Sequence, residues 1–218
     1  QDVCVFLKGL LQEMRRLEME SSRGMVWPGM ASAASDWRTH VDRLFTYVCE
    51  ERCCCIRCGA VAVKFTRASL LSLPVPESMS DQAGSGVTGL YTEYCRKRRA
   101  DSGEDGLLLC QGACCSLQEH SVQRRVSSSP NVLLVEVPRF NEQGGFRPFS
   151  LEAEEELFLP DLVPLELFGV VYFKGRKLGH KDSGYTCVCR GPDEQFWEFS
   201  GERIPNRPME DIANDKRT

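Results

Sequence analysis

Closely spaced cysteines are the residues of this sequence best suited to chemistry. Four of them fall within CCCIRC, from Cys53 to Cys58, and Cys55 and Cys58 form a Cys-x-x-Cys motif followed by Gly59. Two thiolates at that spacing can bind one tetrahedral metal ion from a tight turn, which glycine accommodates. The same motif also serves thiol–disulfide chemistry. The spacing alone therefore leaves a zinc knuckle and a redox site open.

A second cysteine group, LLLCQGACC, follows much later in the chain. It offers Cys110, Cys114 and Cys115, with Gly112 at the bend. The two groups together can complete the four-thiolate shell of a zinc ribbon that carries a long insertion. Cys114 and Cys115 are alternatives for the fourth position. We predict zinc ligands at Cys55, Cys58, Cys110 and Cys114.

The other cysteines of these groups, Cys53, Cys54 and Cys115, are interpreted as small buried hydrophobic residues. Four protein ligands leave the ion no open position, so we expect a structural zinc ion and not a catalytic one. The chain has twelve cysteines and no recognisable secretory signal, which indicates a reducing, intracellular compartment, cytoplasmic or nuclear. Secretion would instead favour disulfides.

Charge and hydropathy argue against two classes of partner. The 218 residues carry a net charge of −4 and a pI of about 5.5, which gives no electrostatic reason to expect nucleic acid. No apolar run approaches the roughly 20 residues that span a bilayer, so no membrane partner is expected. The chain opens on Gln1 instead of Met. We therefore expect that its start was removed or that it is a fragment.

Three segments have helical patterns. Residues 1–20 place apolar side chains at helical spacing, with Asp2 near the helix N terminus. Residues 36–48 predict a second short helix whose later part is equally strand-like. Residues 87–99 predict a third, with the basic cluster Arg96–Arg99 on its surface.

The remaining pattern is mainly that of strands. Apolar alternation predicts strands within 60–76, ending at Pro74, and at 131–137, 165–173 and 185–190. The turn GPDEQ would return 196–200 antiparallel to the preceding strand. Residues 77–86 and the acidic run Glu152–Glu156 are expected to be loops. The fold class is therefore α+β: a helical start, a hairpin-like arm clipped by zinc, and a mainly antiparallel sheet.

Taken in order, these motifs resemble the ubiquitin-specific protease family of cysteine deubiquitinases. The N terminus is similar to that family's Gln-Asp-x-x-Glu-Phe-Leu helix, and CIRCGAVAVKFT and CQGACC are similar to its two zinc knuckles. SSSPNVLLVEVPRF resembles its Pro-x-x-Leu strand, which ends in Arg139-Phe140. LELFGVVYFKG and YTCVCR with FWEFSGERI resemble its closing catalytic strands. The resemblance runs from Gln1 to about Ile204.

The resemblance implies the papain-like cysteine peptidase superfamily and an architecture of palm, thumb and fingers. It would place fingers at about 45–125, palm at about 126–204 and a tail at 205–218. The zinc ribbon would tip the fingers, and ubiquitin or a ubiquitinated protein would be the partner. The implied activity is that of a thiol protease that hydrolyses ubiquitin isopeptide bonds.

The catalytic residues that this activity needs are disturbed in the sequence. A thiol hydrolase requires a nucleophilic cysteine, a histidine and a group that orients the histidine. The family's cysteine precedes the helix at which this chain starts. The candidate histidine is His180, which four inserted residues separate from Tyr185, where the family has Gly-His-Tyr. Alternatively, Ser183-Gly184-Tyr185 aligns there and the histidine is deleted.

Other family positions are also replaced. Phe173-Lys174-Gly175 stands where the family has a second histidine, and the acid pair becomes Ser200 and Gly201. Val5 replaces the glutamate of the first helix. Cys4 lies in the first helical turn, where the dipole could lower its thiol pKa. It is not at the family's nucleophile position, however, and we interpret it as a half-buried helical residue.

Three functional hypotheses follow. The first is a ubiquitin-specific-protease-like domain that is incomplete or inactive as this chain. The second is a catalytically dead ubiquitin-binding or scaffold module. The third is a thiol redox protein, disfavoured because its Cys-x-x-Cys normally opens a helix, whereas strand-like sequence follows Cys58. The sequence does not predict the oligomeric state.

Overall fold

The structure is a computed structural model of the chain. It describes residues 2–23, 38–75, 85–100, 107–140, 149, 151–160, 163–174, 184–199 and 203–207. His180, Ser200 and Gly201 lie outside these residues, as does most of the segment 77–86.

Three helices form where helical patterns predict them. They are α1 (Val3–Arg23), α2 (His40–Phe45) and α3 (Val87–Cys95). Asp2 begins α1, because its carboxylate accepts a hydrogen bond from the Cys4 amide at 2.7 Å. Among the described residues, none of the helices is both long enough and apolar enough to cross a membrane.

Strands make up most of the remaining structure. In chain order they are β1 (Tyr47–Cys55), β2 (Val61–Ala68), β3 (Leu71–Ser72), β4 (Ser85–Gly86), β5 (Arg98–Arg99), β6 (Leu107–Leu109), β7 (Leu117–Ser128), β8 (Val135–Glu136), β9 (Leu151–Glu152), β10 (Glu156–Leu157), β11 (Leu165–Glu166), β12 (Gly169–Lys174), β13 (Gly184–Arg190), β14 (Phe196–Phe199) and β15 (Arg203–Arg207).

A five-stranded antiparallel sheet forms the arm that carries the cysteines. Its order is β2-β1-β7-β5, and β6 pairs with β7 beyond that path. The strand β1 lies between β2 and β7, with Cys54 opposite Val61 of β2 and opposite Ser121 of β7. This arrangement brings the ends of both cysteine-bearing hairpins to the same end of the sheet.

A second sheet holds the C-terminal strands in the simple order β12-β13-β14-β15. Each strand pairs antiparallel with the next, and Cys187 of β13 faces Val171 on one side and Phe199 on the other. The turn between Gly191 and Gln195 closes the hairpin of β13 and β14 through the Gly191 amide and the Gln195 carbonyl, 2.7 Å apart. The antiparallel return predicted for this turn is confirmed.

The main core lies where the first residues of β1 and the last residues of β7 pack on α3. It contains the buried side chains of Tyr47, Cys49, Leu71, Leu73, Leu90, Tyr91, Val126, Phe149 and Leu159. Two short parallel pairings, β3 with β8 and β4 with β9, bring distant segments to this core. The α+β class and the mainly antiparallel pairing are as expected.

Several sequence-based predictions are corrected. Of the strand predicted at 131–137, only Val135–Glu136 pairs, and the strand predicted at 165–173 divides into β11 and β12. The basic cluster Arg96–Arg99 is not on a helix: α3 ends at Cys95, and Arg98–Arg99 form an edge strand against β7.

The acidic run Glu152–Glu156 is not simply a solvated loop. Glu152 ends β9 and Glu156 begins β10. Between them, the Glu154 carboxylate accepts a hydrogen bond from the Thr88 amide, 2.7 Å away, in the first turn of α3. A carboxylate at a helix N terminus satisfies a free amide and opposes the helix dipole. Tertiary packing therefore gives this run a structural role.

Candidate metal centre

Four cysteine sulfurs converge at the tip of the arm. The Sγ atoms of Cys55, Cys58, Cys110 and Cys114 all lie within 4.8 Å of one another. In a tetrahedral shell with Zn–S bonds of about 2.3 Å, the sulfurs are about 3.8 Å apart. The cluster therefore has the size of a four-thiolate metal site, and its donor set is one that zinc prefers.

The turn between β1 and β2 supplies the first pair of sulfurs. The Cys55 amide donates to the Ala60 carbonyl at 2.9 Å, and the Gly59 amide donates to the Cys55 carbonyl at 3.0 Å. Gly59 has φ +72°, a conformation that a side chain would disfavour. The residue after the Cys-x-x-Cys motif thus closes a knuckle that turns both thiols to one side.

The turn between β6 and β7 supplies the second pair. The Cys110 amide donates to the Ser116 carbonyl at 3.0 Å, which closes this knuckle. A methyl group added at Gly112 would lie 2.4 Å from the Ala60 side chain and 3.4 Å from the Cys58 sulfur. Glycine is therefore required where the two knuckles touch.

Backbone amides surround the sulfurs. The Gly112 amide donates to the Cys110 sulfur at 3.3 Å. The Ala60 amide, helped by the neighbouring Cys110 thiol, lowers the pKa of Cys58 to about 6. Such hydrogen bonds stabilise a thiolate, which is the form that binds a metal, although burial and the neighbouring Cys58 and Cys55 thiols raise the pKa of Cys114 to about 12. The chemistry of the cluster thus fits a closed thiolate site.

The structure also distinguishes Cys114 from Cys115. The Cys114 sulfur belongs to the cluster, whereas the Cys115 thiol is exposed and donates to the Gly112 carbonyl at 3.1 Å. Cys115 also has a positive φ of 46°. The expectation that Cys115 is buried is therefore wrong. Cys53 and Cys54 are half-buried, less enclosed than expected.

Cys4, at the start of α1, has an environment that disfavours a thiolate. Burial and the nearby Glu136 carboxylate raise the pKa of Cys4 to about 12. The rise is opposite in direction to the lowering of the thiol pKa that the helix dipole could have produced. Cys4 is half-buried, as expected. Lys8, one turn further along α1, lies 3.5 Å from the same Glu136 carboxylate. Sequence patterns did not single out Glu136, because β8 reaches α1 only through tertiary packing.

Aromatic residues gather on the other sheet, near the start of α1. Phe173 of β12 lies edge-on to Phe140 and to Tyr185, with ring centroids 5.1 Å and 5.3 Å apart. Burial raises the pKa of Tyr185, and a hydrogen bond between its phenol and the Val3 backbone partly opposes that rise. Three residues from three separate segments of the family resemblance thus lie together. His180 is outside the described residues.

Comparisons with known proteins identify the fold. No protein-family profile matches the chain, and no curated protein is detectably similar to it in sequence. Among solved structures, a yeast SAGA DUB module with an Sgf73 mutant contains a chain that superposes with a TM-score of 0.77 at 17% identity. That match covers 99% of this chain and 49% of the other.

Two further structures are of the SAGA Ubp8/Sgf11/Sus1/Sgf73 DUB module. The form bound to ubiquitin aldehyde matches with a TM-score of 0.76 and 16% identity, over 100% of this chain and 48% of the other. The form with a Ubp8 mutant bound to monoubiquitin gives 0.76 and 18%, over 100% and 47%. The chain therefore spans about half the length of the chains it matches. At these identities the comparison establishes the fold, which is similar to that of a ubiquitin-specific protease in a DUB module.

Proposed function

We propose that this chain is a ubiquitin-specific-protease-like domain of the papain-like superfamily and that it binds ubiquitin or ubiquitinated proteins. The observation that carries the proposal is the fold match, which covers the whole chain and includes structures with ubiquitin aldehyde and monoubiquitin bound. An intracellular location, in the cytoplasm or nucleus, goes with this proposal.

A structural zinc ion bound by Cys55, Cys58, Cys110 and Cys114 is part of the proposal. The size of the cluster and its surrounding amides support a metal that joins two knuckles. When bound, zinc would supply a fixed tetrahedral link between the two hairpins. The chain itself contributes the thiolates, the backbone amides that donate to them, and two glycines. Gly59 allows the first turn, and Gly112 lets the two turns approach each other.

We assign fingers and palm with limits adjusted to the strands. The strand β7 runs unbroken from Leu117 to Ser128, so fingers that start at about residue 45 extend to 128. The last strand, β15, runs from Arg203 to Arg207, so the palm extends to 207. A division inside a continuous strand would separate residues that share one hydrogen-bonded ladder.

We infer that the chain alone does not hydrolyse ubiquitin conjugates. Isopeptide hydrolysis needs an activated thiol beside a histidine, and the raised pKa of Cys4 makes it a poor nucleophile. His180 remains the proposed acid–base residue. The alternative is a catalytically dead ubiquitin-binding or scaffold module, which the loss of the family's acid pair favours.

The thiol redox alternative is less well supported. Cys55 and Cys58 lie in a turn between two antiparallel strands, whereas a redox Cys-x-x-Cys normally opens a helix. Metal analysis of the purified chain separates the two. About one zinc ion per chain supports the structural site, and a metal-free protein with a reducible Cys55–Cys58 disulfide contradicts it.

Two measurements test the ubiquitin proposal. Titration of labelled ubiquitin against the zinc-loaded chain should show saturable binding, weakened in the Cys114→Ser variant and retained in Cys115→Ser. Absence of binding would overturn the proposal. A ubiquitin probe with a C-terminal electrophile then separates the classes: binding without a thiol adduct supports the inactive module, and an adduct shows that the chain supplies its own nucleophile.

A further inference from the structure

The outer strand of the arm, β2, presents an open edge. It is the terminal strand in the order β2-β1-β7-β5, and no other strand in the described part of the chain pairs with its free side. The side chains from Val61 to Arg67 are all exposed. Natural proteins usually shorten, bend or interrupt such edges to prevent unwanted pairing. β2 instead has eight residues, contains no proline and keeps one register with β1 throughout.

The register shows which backbone groups face the open side. The Cys55 amide bonds to the Ala60 carbonyl, and the Ile56 amide bonds to the Glu119 carbonyl of β7. Odd-numbered residues of β1 therefore bond to β2, and even-numbered residues bond to β7. Because bonded and non-bonded pairs alternate in an antiparallel ladder, the residues opposite the even positions of β1 direct their amides and carbonyls outward. These residues are Val61, Val63, Phe65 and Arg67.

Three of these four residues also have exposed apolar side chains. Val61, Val63 and Phe65 are 58%, 47% and 63% exposed, and they lie on one face because they alternate along the strand. The edge thus offers unpaired backbone groups beside an apolar row. These are the two components that bind an added strand: the main chain supplies affinity and the alternate side chains supply selectivity.

The charge of β2 indicates the chemistry of such a strand. The strand contains Lys64 and Arg67 and no acidic residue. Glu51, which faces Lys64 across the ladder, forms an ion pair with Arg124, at 2.6 Å. An acidic side chain on an added strand could therefore lie beside Lys64.

We propose that the β2 edge is a docking site for an extended segment of another protein in which apolar and acidic residues alternate. The segment adds as a further antiparallel strand. Its apolar residues bond to the backbone of Val61, Val63 and Phe65 and share their face, while its acidic residues lie opposite Lys64. A second copy of this chain fits less well, because twofold pairing of β2 centred on Val63, Lys64 or Phe65 puts the two Lys64 side chains opposite or diagonal to each other.

This inference does not depend on the proposed ubiquitin function. Its test uses a fluorescein-labelled eight-residue peptide of alternating valine and glutamate, followed by anisotropy with the zinc-loaded chain. Saturable binding should be about fivefold tighter than that of the valine–lysine peptide, since the cross-strand ion pair with Lys64 becomes a repulsion. Equal binding of the two peptides, or none at millimolar concentration, overturns the proposal.

Two protein variants locate the site. Val63→Pro removes an outward amide that β1 does not use, so it should weaken the peptide about tenfold or more and leave the fold intact. Lys64→Glu should weaken the valine–glutamate peptide about fivefold and strengthen the valine–lysine peptide. Arg98→Glu, the same charge change on the opposite edge strand β5, is the matched control and should change neither.

A modified peptide keeps the test decisive if Val63→Pro does not fold. Methylation of the valine amides should abolish binding, because these face β2, whereas methylation of the glutamate amides should be tolerated. The reverse pattern, or no difference, contradicts strand addition. If the chain instead sediments as a dimer that Val63→Pro disrupts, the edge serves a second copy and the acidic partner is excluded.

Discussion

The Sγ atoms of Cys58 and Cys110 lie 3.5 Å apart, although the two residues are 52 positions apart in the sequence. The pairing of β1 with β7 brings them together, since Cys55 at the end of β1 faces His120 near the start of β7. Closing so long a loop costs conformational entropy, and a metal ion shared by both turns would stabilise the closed form. The first two predictions follow from this contact.

Replacement of Cys114 by serine should abolish zinc binding. The Cys114 sulfur lies within the four-sulfur cluster, whereas the Cys115 thiol bonds to a backbone carbonyl outside it. We expect Cys114→Ser to destabilise the chain by more than about 4 kcal/mol, the range typical of a lost structural metal. Metal content by mass spectrometry and thermal unfolding measure both effects. Cys115→Ser is the matched control, and loss of zinc there instead would show that the ligands are misassigned.

Replacement of Gly112 by alanine should weaken the metal site without removing a ligand. The added methyl would lie 2.4 Å from the Ala60 side chain and press the two knuckles apart. Disturbing the groups around a metal costs about 10–100-fold in affinity. Competition with a zinc chelator measures the loss.

Gly9→Ala is the control for that glycine replacement. Nothing lies within 4 Å of a methyl added there, and Gly9 is inside α1. Alanine should therefore stabilise the helix by about 0.5–1 kcal/mol and leave zinc affinity unchanged. Equal chelator sensitivity of the two variants would contradict a close approach at Gly112.

Replacement of Asp42 by asparagine should destabilise the chain in a pH-dependent manner. Burial raises the pKa of Asp42, but hydrogen bonds from Thr39 and Arg15 outweigh it and leave the pKa below its usual 3.8. A carboxyl group whose pKa is lower in the folded than in the unfolded state stabilises the fold at pH values above its unfolded pKa. That stabilisation is lost as the pH falls through the folded pKa. We expect a cost of about 1 kcal/mol at neutral pH, shrinking below about pH 4.

Urea unfolding over a pH series measures that cost. Glu13→Gln is the control, because Glu13 is a surface partner of Arg16 in α1 and such pairs contribute little. A cost for Asp42→Asn that persists unchanged in acid would mean that the α2 cap depends on shape and not on charge.

Replacement of Tyr91 by phenylalanine should destabilise the core. The Val126 amide donates to the Tyr91 hydroxyl at 2.9 Å, and both residues are buried. Removing the hydroxyl leaves a buried amide without that acceptor, which costs about 1–3 kcal/mol. Tyr94→Phe is the control, since its hydroxyl lies 3.4 Å from the Cys49 sulfur, a weak partner. Equal unfolding free energies for the two variants would disprove the role of this bond.

Local periodicity was sufficient to predict α1, α3 and the hairpin of β13 and β14, because each has its own helical spacing, alternation or turn. It was insufficient for β7. Its sequence, LQEHSVQRRVSS, is largely polar, since much of the strand is exposed on the arm and is held by pairing with β1. The strand predicted at 131–137 failed for the opposite reason: Leu133, Val135 and Val137 pack on the core, while only Val135–Glu136 pair as a strand, with Leu71–Ser72.

The sequence by itself determined the chemistry of the candidate site: two cysteine groups with glycines at their bends can offer thiolates from tight turns. Only the tertiary structure decided that the groups meet and that the sulfur of Cys114, not that of Cys115, joins them. The physical reason is that spacing restricts only neighbours along the chain. Convergence of the groups depends on the register of β1 and β7, and the choice of sulfur depends on a backbone that turns Cys115 outward at φ 46°.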